Sequence, residues 1–251
     1  MRYHASKHMQ QRIILATAAL AAAGTPATLG ETHRFTPKQY HNTFSFAHAP
    51  ALRIKPGDRV VTQTIDARGF DSRDQKVAER PNPQVGPFYI EGAEPGDVLV
   101  VRLERIEPNR PTAWTDSLLA PYTVDPAFLR FTGLREQKTV TWNIDREKRV
   151  VWIEEPGIRP GRIEVPLRPM LGCIATAPAN KEAIHTSTPG AFGGNMDYNG
   201  MNAGVKVMLP SHCSTDRPSR FGSPRSSTTA ANDSVDSAAT AASPSRSQST
   251  A

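Results

Sequence analysis

The stretch Arg59-Val-Val-Thr-Gln-Thr-Ile65, directly after Pro56-Gly-Asp58, decides how the fold is interpreted. The run is rich in β-branched residues and is bounded by turn-forming residues, which is typical of a β-strand. Pro presets φ for the first central position of a type II turn, and Gly permits the positive φ of the second. The same tripeptide recurs at 95–97, before the Val-rich run 98–106. Two such turn–strand units predict an all-β sandwich or barrel.

Further short runs with strand character support this fold class. They are Ala51–Ile54, Thr139–Ile144, Arg149–Ile153 and Arg162–Val165, and the residues 145–148 between two of them predict a hairpin turn. The 22 prolines disfavour a helical bundle, since an interior proline costs a helix about 3 kcal/mol. One or two helical turns are expected at 179–184. The segment 107–138 is expected to be a long loop or insertion.

Both ends of the chain differ in composition from residues 31–210, for which we expect the folded domain. Residues 1–30 combine basic residues, a short apolar run 13–23 and small residues, which predicts a signal peptide and a periplasmic or secreted protein. A short uncleaved anchor is the alternative. Residues 211–251 are dominated by Ser, Ala and Thr, so we expect a disordered tail.

Charge and cysteine content exclude several classes of function. The formal charge of +6 is concentrated near the amino terminus, and the nearly neutral body gives no electrostatic reason to expect nucleic acid binding. No membrane association is expected once the signal is cleaved. Two cysteines exclude a disulfide-built scaffold and a Cys-rich zinc module. Serine esterase, zincin and P-loop motifs are absent from the sequence.

Three segments carry candidate functional residues. Asp66 ends a predicted strand, and Glu91 lies in Gly86-Pro-Phe-Tyr-Ile-Glu91-Gly. The third segment, 188–198, contains Gly193-Gly194-Asn195-Met-Asp197. Glycines allow the backbone to approach a ligand closely, and oxygen-bearing side chains at 195 and 197 share one side of an extended chain. They could bind a hard or borderline cation or a substrate amide. Equally, Asp66 could be a turn or cap residue, Glu91 a surface carboxylate, and 193–195 a plain tight turn.

Four stretches together resemble the acetamidase/formamidase family, in the family's order and over roughly 45–210. They are Lys55-Pro-Gly-Asp-Arg-Val-Val-Thr-Gln-Thr-Ile-Asp-Ala67, Gly86-Pro-Phe-Tyr-Ile-Glu-Gly-Ala-Glu-Pro-Gly-Asp97, Gly172-Cys-Ile-Ala-Thr-Ala-Pro-Ala179 and Pro189-Gly-Ala-Phe-Gly-Gly-Asn-Met-Asp197. The resemblance implies β subdomains and hydrolysis of short linear amides, such as formamide or acetamide, to a carboxylate and ammonia.

The resemblance also implies a divalent metal, zinc or calcium, and roles for the candidate residues. Asp66 and Asp197 are the candidate metal ligands, Glu91 the candidate general base and later acid, and Asn195 a candidate substrate-binding residue. The backbone amides of Gly193 and Gly194 are candidate donors to the oxyanion. His185 departs from the small hydroxyl residue common in the family, so it is not expected to be a shared ligand.

A second departure follows residue 210. Family members continue into a further β region, whereas this sequence has the Ser/Ala/Thr-rich tail, which predicts a truncated or frameshifted member that is incomplete at its carboxyl terminus. The alternatives to an amidase are an inactive fragment and a non-catalytic β domain that binds a small ligand. A small amide is the expected partner, and a homo-oligomer is possible if another subunit completes the missing edge.

Overall fold

The computed structural model describes residues 30–117, 125–127, 138–154, 159 and 161–212, together with the backbone of 225–227 and 235–245. The predicted signal peptide therefore lies outside the described residues except for Gly30. None of the helices in the described part of the chain has the length and apolar character needed to cross a membrane.

Strands dominate the described residues, which confirms the all-β prediction. In chain order they are β1 (Thr32–Phe35), β2 (Thr43–Ser45), β3 (Leu52–Ile54), β4 (Arg59–Gln63), β5 (Phe88–Ile90), β6 (Val98–Pro108), β7 (Thr112–Asp116), β8 (Thr139–Asp145), β9 (Val150–Glu154), β10 (Arg162–Pro166), β11 (Cys173–Thr176), β12 (Ala183–His185), β13 (Pro189–Gly190), β14 (Gly193–Asn195), β15 (Lys206–Pro210), β16 (Arg225–Ser227) and β17 (Val235–Ser245). The six strand runs identified in the sequence all appear, with ends that differ by one or two residues.

Two larger sheets form the body of the domain. One has the order β1-β4-β17-β6-β15, with β1 parallel to β4 and the remaining pairs antiparallel. The other has the order β13-β14-β11-β16-β5-β3, with β3 parallel to β5. A four-stranded antiparallel sheet, β10-β9-β8-β7, and the pair β12-β2 complete the sheets of the described residues.

The main core joins these two sheets. Val60, Leu103 and Leu209 come from the five-stranded sheet, and Phe88 and Ile174 come from the six-stranded sheet. All five are buried and belong to one cluster, so the two sheets pack face to face as in a β-sandwich. Along β6 the burial alternates residue by residue for most of the strand, because successive side chains point to opposite faces.

Both Pro-Gly-Asp turns have the predicted geometry. Gly57 and Gly96 have φ of 93° and 85°, and the N–H groups of Asp58 and Asp97 donate across their turns to the carbonyls of Lys55 and Glu94. Each aspartate then accepts the N–H of the residue that opens its turn, at 2.8 Å for Asp58 and 2.7 Å for Asp97. The acidic residues are therefore structural, as the sequence indicates.

Asp58 also fastens β1 to the domain. Its carboxylate accepts the N–H of Glu31 at 2.8 Å and lies 2.9 Å from the ring nitrogen Nε2 of His33. Burial raises the pKa of Asp58, but the hydrogen bonds from Lys55, His33 and Glu31 together lower it by more. The pKa of Asp58 therefore lies below its ordinary value. The ionised carboxylate is therefore the form that the fold favours.

The segment 107–138 is not simply a loop, which corrects the sequence-based expectation. Strand β7 lies within it and pairs antiparallel with β8, from Thr112 opposite Asn143 to Asp116 opposite Thr139. Hydrogen bonds to a distant partner strand stabilise β7, and this partner is not visible in local sequence. The helical turns expected at 179–184 are limited to a 3-10 turn, Ala179–Lys181, after which the chain enters β12.

Two segments of the predicted tail take part in the sheets. The backbone of β17 pairs with both β4 and β6, and the backbone of β16 pairs with β11 and β5. The disorder predicted for 211–251 as a whole stays a prediction, because most of this range lies outside the described residues. The rest of the range beyond His212 lies outside the described residues.

Replacing Asp58 by Asn is expected to make the protein less stable and less sensitive to acid. A group whose folded pKa is lowered stabilises the fold above its unfolded pKa of about 3.9, and that stability is lost as the pH falls through the folded value. We expect a loss of about 1–3 kcal/mol at neutral pH that shrinks below pH 4. Urea unfolding between pH 2.5 and pH 7 measures it.

The exposed Glu182→Gln variant is the control for loss of a carboxylate without loss of these hydrogen bonds. A difference between Asp58→Asn and the native chain that stays constant across this pH range contradicts the assignment.

Candidate active site

Asp66 is buried at the end of β4 and is fully hydrogen-bonded. Its Oδ1 accepts the N–H groups of Arg68 and Phe70, both at 2.9 Å. Its Oδ2 accepts Nη2 of Arg110 at 2.8 Å and the indole Nε1 of Trp114 at 3.1 Å. Asp66 therefore acts in this conformation as the acceptor that joins a turn, a guanidinium and an indole.

The Arg110 side chain forms a second ion pair, with Asp74 at 3.2 Å. Only 6% of the Arg110 side chain and 2% of the Asp66 side chain are exposed, whereas the Asp74 side chain is largely exposed. The guanidinium of Arg68 stacks on the ring of Trp114, and its carbon Cζ lies 3.5 Å from the ring centroid. The buried ion pair connects the end of β4 with the start of β7.

This arrangement does not fit a metal ligand at Asp66. Both carboxylate oxygens are used, and coordination of a metal would compete with a buried guanidinium and leave it unpaired. Within the described part of the chain, no three or more His, Cys, Asp and Glu side chains form a group that could hold a metal ion. The metal assignment of Asp66 and Asp197 therefore stays a prediction without a ligand set among these residues.

Gly193 and Gly194 lie buried in β14, and their role in the structure is close packing. They pair with Ala175 and Ile174 of β11 and have φ of 97° and 94°. A Cβ on Gly193 would lie 2.4 Å from the carbonyl oxygen of Ile174, and one on Gly194 would lie 2.3 Å from that of Thr188. Only glycine fits at either position, for reasons of both conformation and space.

Asn195 and Asp197 are close in the chain but differ in conformation. Asn195 is the last residue of β14, opposite Cys173, and its Nδ2 donates to the carbonyl of Ser187 at 3.4 Å. Asp197 is exposed, with a left-handed φ of 43°, and its N–H donates to the carbonyl of Gly172 at 2.9 Å. The i, i+2 rule for extended chains therefore does not apply to this pair, because the strand ends between them.

Glu91 and His185 are both exposed. Glu91 starts the turn after β5, and its N–H donates to the carbonyl of Ile54 at 2.8 Å. His185 ends β12, and its Nδ1 accepts the N–H of Ser187 at 3.3 Å. The structure places each in a surface turn or at a strand end, and nothing in it tests the general-base role predicted for Glu91.

A group of buried polar residues was missed by the sequence analysis. We call Asn82, Gln84, Cys173 and Thr186 the amide cluster; each is at most 4% exposed. The Nδ2 of Asn82 donates to the carbonyl of Thr186 at 2.7 Å, and the Nε2 of Gln84 donates to the carbonyl of Asn82 at 2.8 Å. The thiol of Cys173 donates weakly to the same Thr186 carbonyl at 3.8 Å.

The thiol of Cys173 is not a nucleophile in this setting. Its pKa is raised to about 12, mainly by burial and in smaller part by the charge of Asp197, while the side chains of Asn82 and Gln84 act in the opposite direction. A thiol with this pKa is almost entirely protonated at neutral pH, and only the thiolate is an effective nucleophile.

Three of the four stretches that carry the family resemblance adjoin one another at the amide cluster. The N–H of Asn82 donates to the carbonyl of Ala67 at 2.8 Å, which links the cluster to the last residue of the stretch 55–67. Cys173 belongs to the stretch 172–179 and pairs with Asn195 of the stretch 189–197. The stretch 86–97, which contains Glu91, supplies none of the four cluster residues.

A signal for the cluster is present in the sequence. The pattern Arg80-Pro-Asn-Pro-Gln-Val85 places two amide side chains two residues apart between prolines. Prolines restrict the backbone, and amide side chains in such a segment are usually solvated. Their burial here depends on Thr186, which is remote in sequence and whose hydroxyl donates to the carbonyls of Asn42 and Pro81.

A separate cavity of about 360 Å³ lies on the four-stranded sheet. Its walls are mainly apolar and include Trp114, Trp142, Ile144 and Met170, with Arg168 also among the lining residues. It adjoins the Asp66 ion pair through Trp114, whose indole N–H donates to Asp66. The cavity is thus distinct from the amide cluster in its chemistry.

Replacing Gly193 by Ala is expected to destabilise the protein more than the same change at Gly204. Both glycines have φ near 95°, which costs an alanine about 1–2 kcal/mol. A Cβ at Gly204 meets nothing within 4 Å, whereas one at Gly193 meets backbone at 2.4 Å. Equal losses in the free energy of unfolding, measured in urea, would show that close packing is not what position 193 requires.

Replacing Arg110 by Met is expected to cost about 3–5 kcal/mol, because it leaves the buried Asp66 carboxylate without its counter-charge. The double variant Asp66→Asn/Arg110→Met is expected to lose less than the sum of the two single variants. Urea unfolding measures all three, with the exposed Arg105→Met as control. A loss below about 1 kcal/mol for Arg110→Met contradicts a structural ion pair.

Comparison with solved structures links the fold to known proteins. An acetamidase from Bacillus halodurans aligns with a TM-score of 0.63 at 22% identity, over 86% of this chain and 72% of that chain. An acetamidase from Yersinia enterocolitica aligns with a TM-score of 0.63 at 23% identity, over 88% of this chain and 69% of that chain. A predicted acetamidase/formamidase from Thermoanaerobacter tengcongensis aligns with a TM-score of 0.62 at 22% identity, over 84% of this chain and 69% of that chain.

A γ-lactamase from Delftia acidovorans aligns less closely, with a TM-score of 0.59 at 17% identity, over 81% of this chain and 64% of that chain. No family model and no curated protein sequence matches the chain. The structural likeness and the order of the sheets lead to one conclusion: the chain has the all-β fold of the acetamidase and acetamidase/formamidase structures.

Proposed function

We propose that the protein is an amidohydrolase of the acetamidase/formamidase type, which hydrolyses short linear amides to a carboxylate and ammonia. The observation that carries the proposal is that three motif segments, those of Ala67, Cys173 and Asn195, adjoin one another at the buried amide cluster. The fold shared with solved acetamidases supports it. Convergence matters because an amide is a weak electrophile and needs several groups positioned around it at once.

The reaction needs an activated water and a protonated leaving group. Water attacks the amide carbonyl and loses a proton to a base, and the tetrahedral intermediate then breaks its C–N bond as the nitrogen gains a proton. We assign the base to Asp197. It lies two residues after Asn195, which pairs with Cys173 of the cluster. Glu91, the base expected from the sequence, is likewise exposed but lies in the turn after β5, in a stretch that supplies no residue of the cluster.

The remaining roles stay proposals. Asn195, half-buried and opposite Cys173, is positioned to orient the substrate next to Asp197. The N–H groups of Gly193 and Gly194 are proposed oxyanion donors, as the resemblance implies. A zinc or calcium ion, export to the periplasm or beyond, and a homo-oligomer likewise stay predictions, and none of the steps above depends on them.

The purified protein is expected to release ammonia from formamide and acetamide. Asp197→Asn is expected to lower kcat/KM by about 10²–10⁴, the usual contribution of a general base. Asn is the suitable replacement because it tolerates the left-handed backbone of this position. A coupled ammonia assay measures the rate, and a parallel series with EDTA reports any requirement for metal.

Glu147→Gln, in the exposed hairpin turn between β8 and β9, is the matched control for loss of a carboxylate. Full activity in Asp197→Asn contradicts its role as the base. An absence of ammonia release from a cooperatively folded native protein contradicts the proposed function itself.

The 360 Å³ cavity favours one alternative, a non-catalytic domain that binds a small apolar ligand. Two tryptophans, Trp114 and Trp142, line it, and aromatic walls are typical of ligand pockets. Quenching of tryptophan fluorescence by an apolar ligand, without any amide hydrolysis, would favour this alternative. Amide hydrolysis that persists in Trp142→Ala would separate the cavity from the catalytic function.

A further inference from the structure

The side-chain oxygens of Asn82 and Gln84 have no hydrogen-bond partner in the structure. Asn82 Oδ1 and Gln84 Oε1 are buried acceptors on side chains that are 4% and 2% exposed. Nearly all buried polar side-chain atoms in proteins are hydrogen-bonded, and an exception calls for a specific cause such as a bound ligand or water. The other such atoms among the described residues are Nδ2 and Oδ1 of Asn109 and Nε of Arg110, so Asn82 and Gln84 together supply the two unpaired acceptors of the amide cluster.

The orientation of both amide groups is determined by their other ends. The Nδ2 of Asn82 donates to a carbonyl at 2.7 Å, and the Nε2 of Gln84 donates to another at 2.8 Å. Rotating either amide by 180° would place an oxygen against a carbonyl oxygen, which is repulsive. The oxygens therefore remain on the side of each amide group away from these carbonyls, and both side chains interact with the thiol of Cys173.

The backbone holds these side chains firmly. The Asn82 N–H is bonded to Ala67, and the N–H and C=O of Gln84 are both bonded to His41, at 2.8 and 3.1 Å. Asn82 has a left-handed φ of 51°, a conformation that asparagine tolerates, and its backbone hydrogen bond to Ala67 holds it there. A rigid pair of acceptors offers a ligand little conformational cost on binding.

Two fixed acceptors select a ligand group with two donors and no need of an acceptor. The NH₂ group of a primary amide has this character, because its nitrogen lone pair is delocalised into the carbonyl. We propose that Asn82 and Gln84 form a subsite for the NH₂ group of the substrate. The subsite rests on the proposed function and adds a reason for choosing primary amides over esters and ketones.

The test compares acetamide with acetone, in which a methyl group replaces the NH₂ group. Binding of each to the Asp197→Asn protein, where hydrolysis is slow, is followed by ligand-detected NMR. Adding Gln84→Met, which keeps the side-chain length but removes Oε1, is expected to raise the Kd of acetamide about tenfold or more. The Kd of acetone is expected to stay unchanged.

Gln75→Met, at an exposed position, is the matched control, and melting curves verify that each variant folds. If Gln84→Met does not fold, Asn82→Gly replaces it, since glycine accepts the positive φ and lacks Oδ1. An equal change in the Kd of both ligands, or no change in either, overturns the subsite.

Failure of the subsite and failure of the proposed function give different results. A native protein that hydrolyses acetamide, combined with an acetamide Kd that does not respond to Gln84→Met, rejects the subsite and retains the amidase. Selective loss of acetamide binding in Gln84→Met, in a protein that hydrolyses no amide, retains the subsite and rejects the amidase.

Discussion

The pairing of β11 with β14 holds the candidate site together. Cys173, at one end of β11, lies opposite Asn195, and the ladder continues through Ile174 and Ala175 opposite the glycine pair. The backbones of β11 and β14 approach so closely that a Cβ at Gly193 would collide with the carbonyl of Ile174. Because Asp197 follows two residues after Asn195, the last residue of this ladder, the path of the backbone to Asp197 depends on the two glycines.

Two buried polar groups lie next to each other and differ in how completely they are hydrogen-bonded. Around Asp66 the two carboxylate oxygens accept four donors, and the charge is balanced by Arg110. Although Nε of Arg110 has no hydrogen-bond partner within the described residues, a carboxylate that accepts four donors has little capacity left for a ligand. In the amide cluster the donors of Asn82 and Gln84 are used and their acceptor oxygens are not. Unpaired buried acceptors are costly in the free protein and become useful when a donor arrives.

Much of the fold follows from local rules that the sequence displays. The Pro-Gly-Asp turns, the Val-rich strands after them and the hairpin between β8 and β9 each depend on residues close together in the chain. Strand β7 and the backbone strands within the predicted tail were not anticipated, because their partners are remote in sequence. Residue type could not distinguish Asp66 as a buried counter-ion from Asp66 as a ligand, since that depends on where Arg110 and Trp114 lie.

The sequence by itself determined the fold class, the turn aspartates and the family resemblance, because alternation, turn chemistry and motif order are written in neighbouring residues. Only the tertiary structure decided which polar side chains meet. Asn82 and Thr186 are 104 residues apart and are joined by a 2.7 Å hydrogen bond, and Asp66 finds its counter-charge 44 residues further along the chain. Burial and hydrogen-bond satisfaction are properties of the packed chain, so they distinguish an aspartate whose oxygens are all hydrogen-bonded from an asparagine whose oxygen is not only once the sheets have come together.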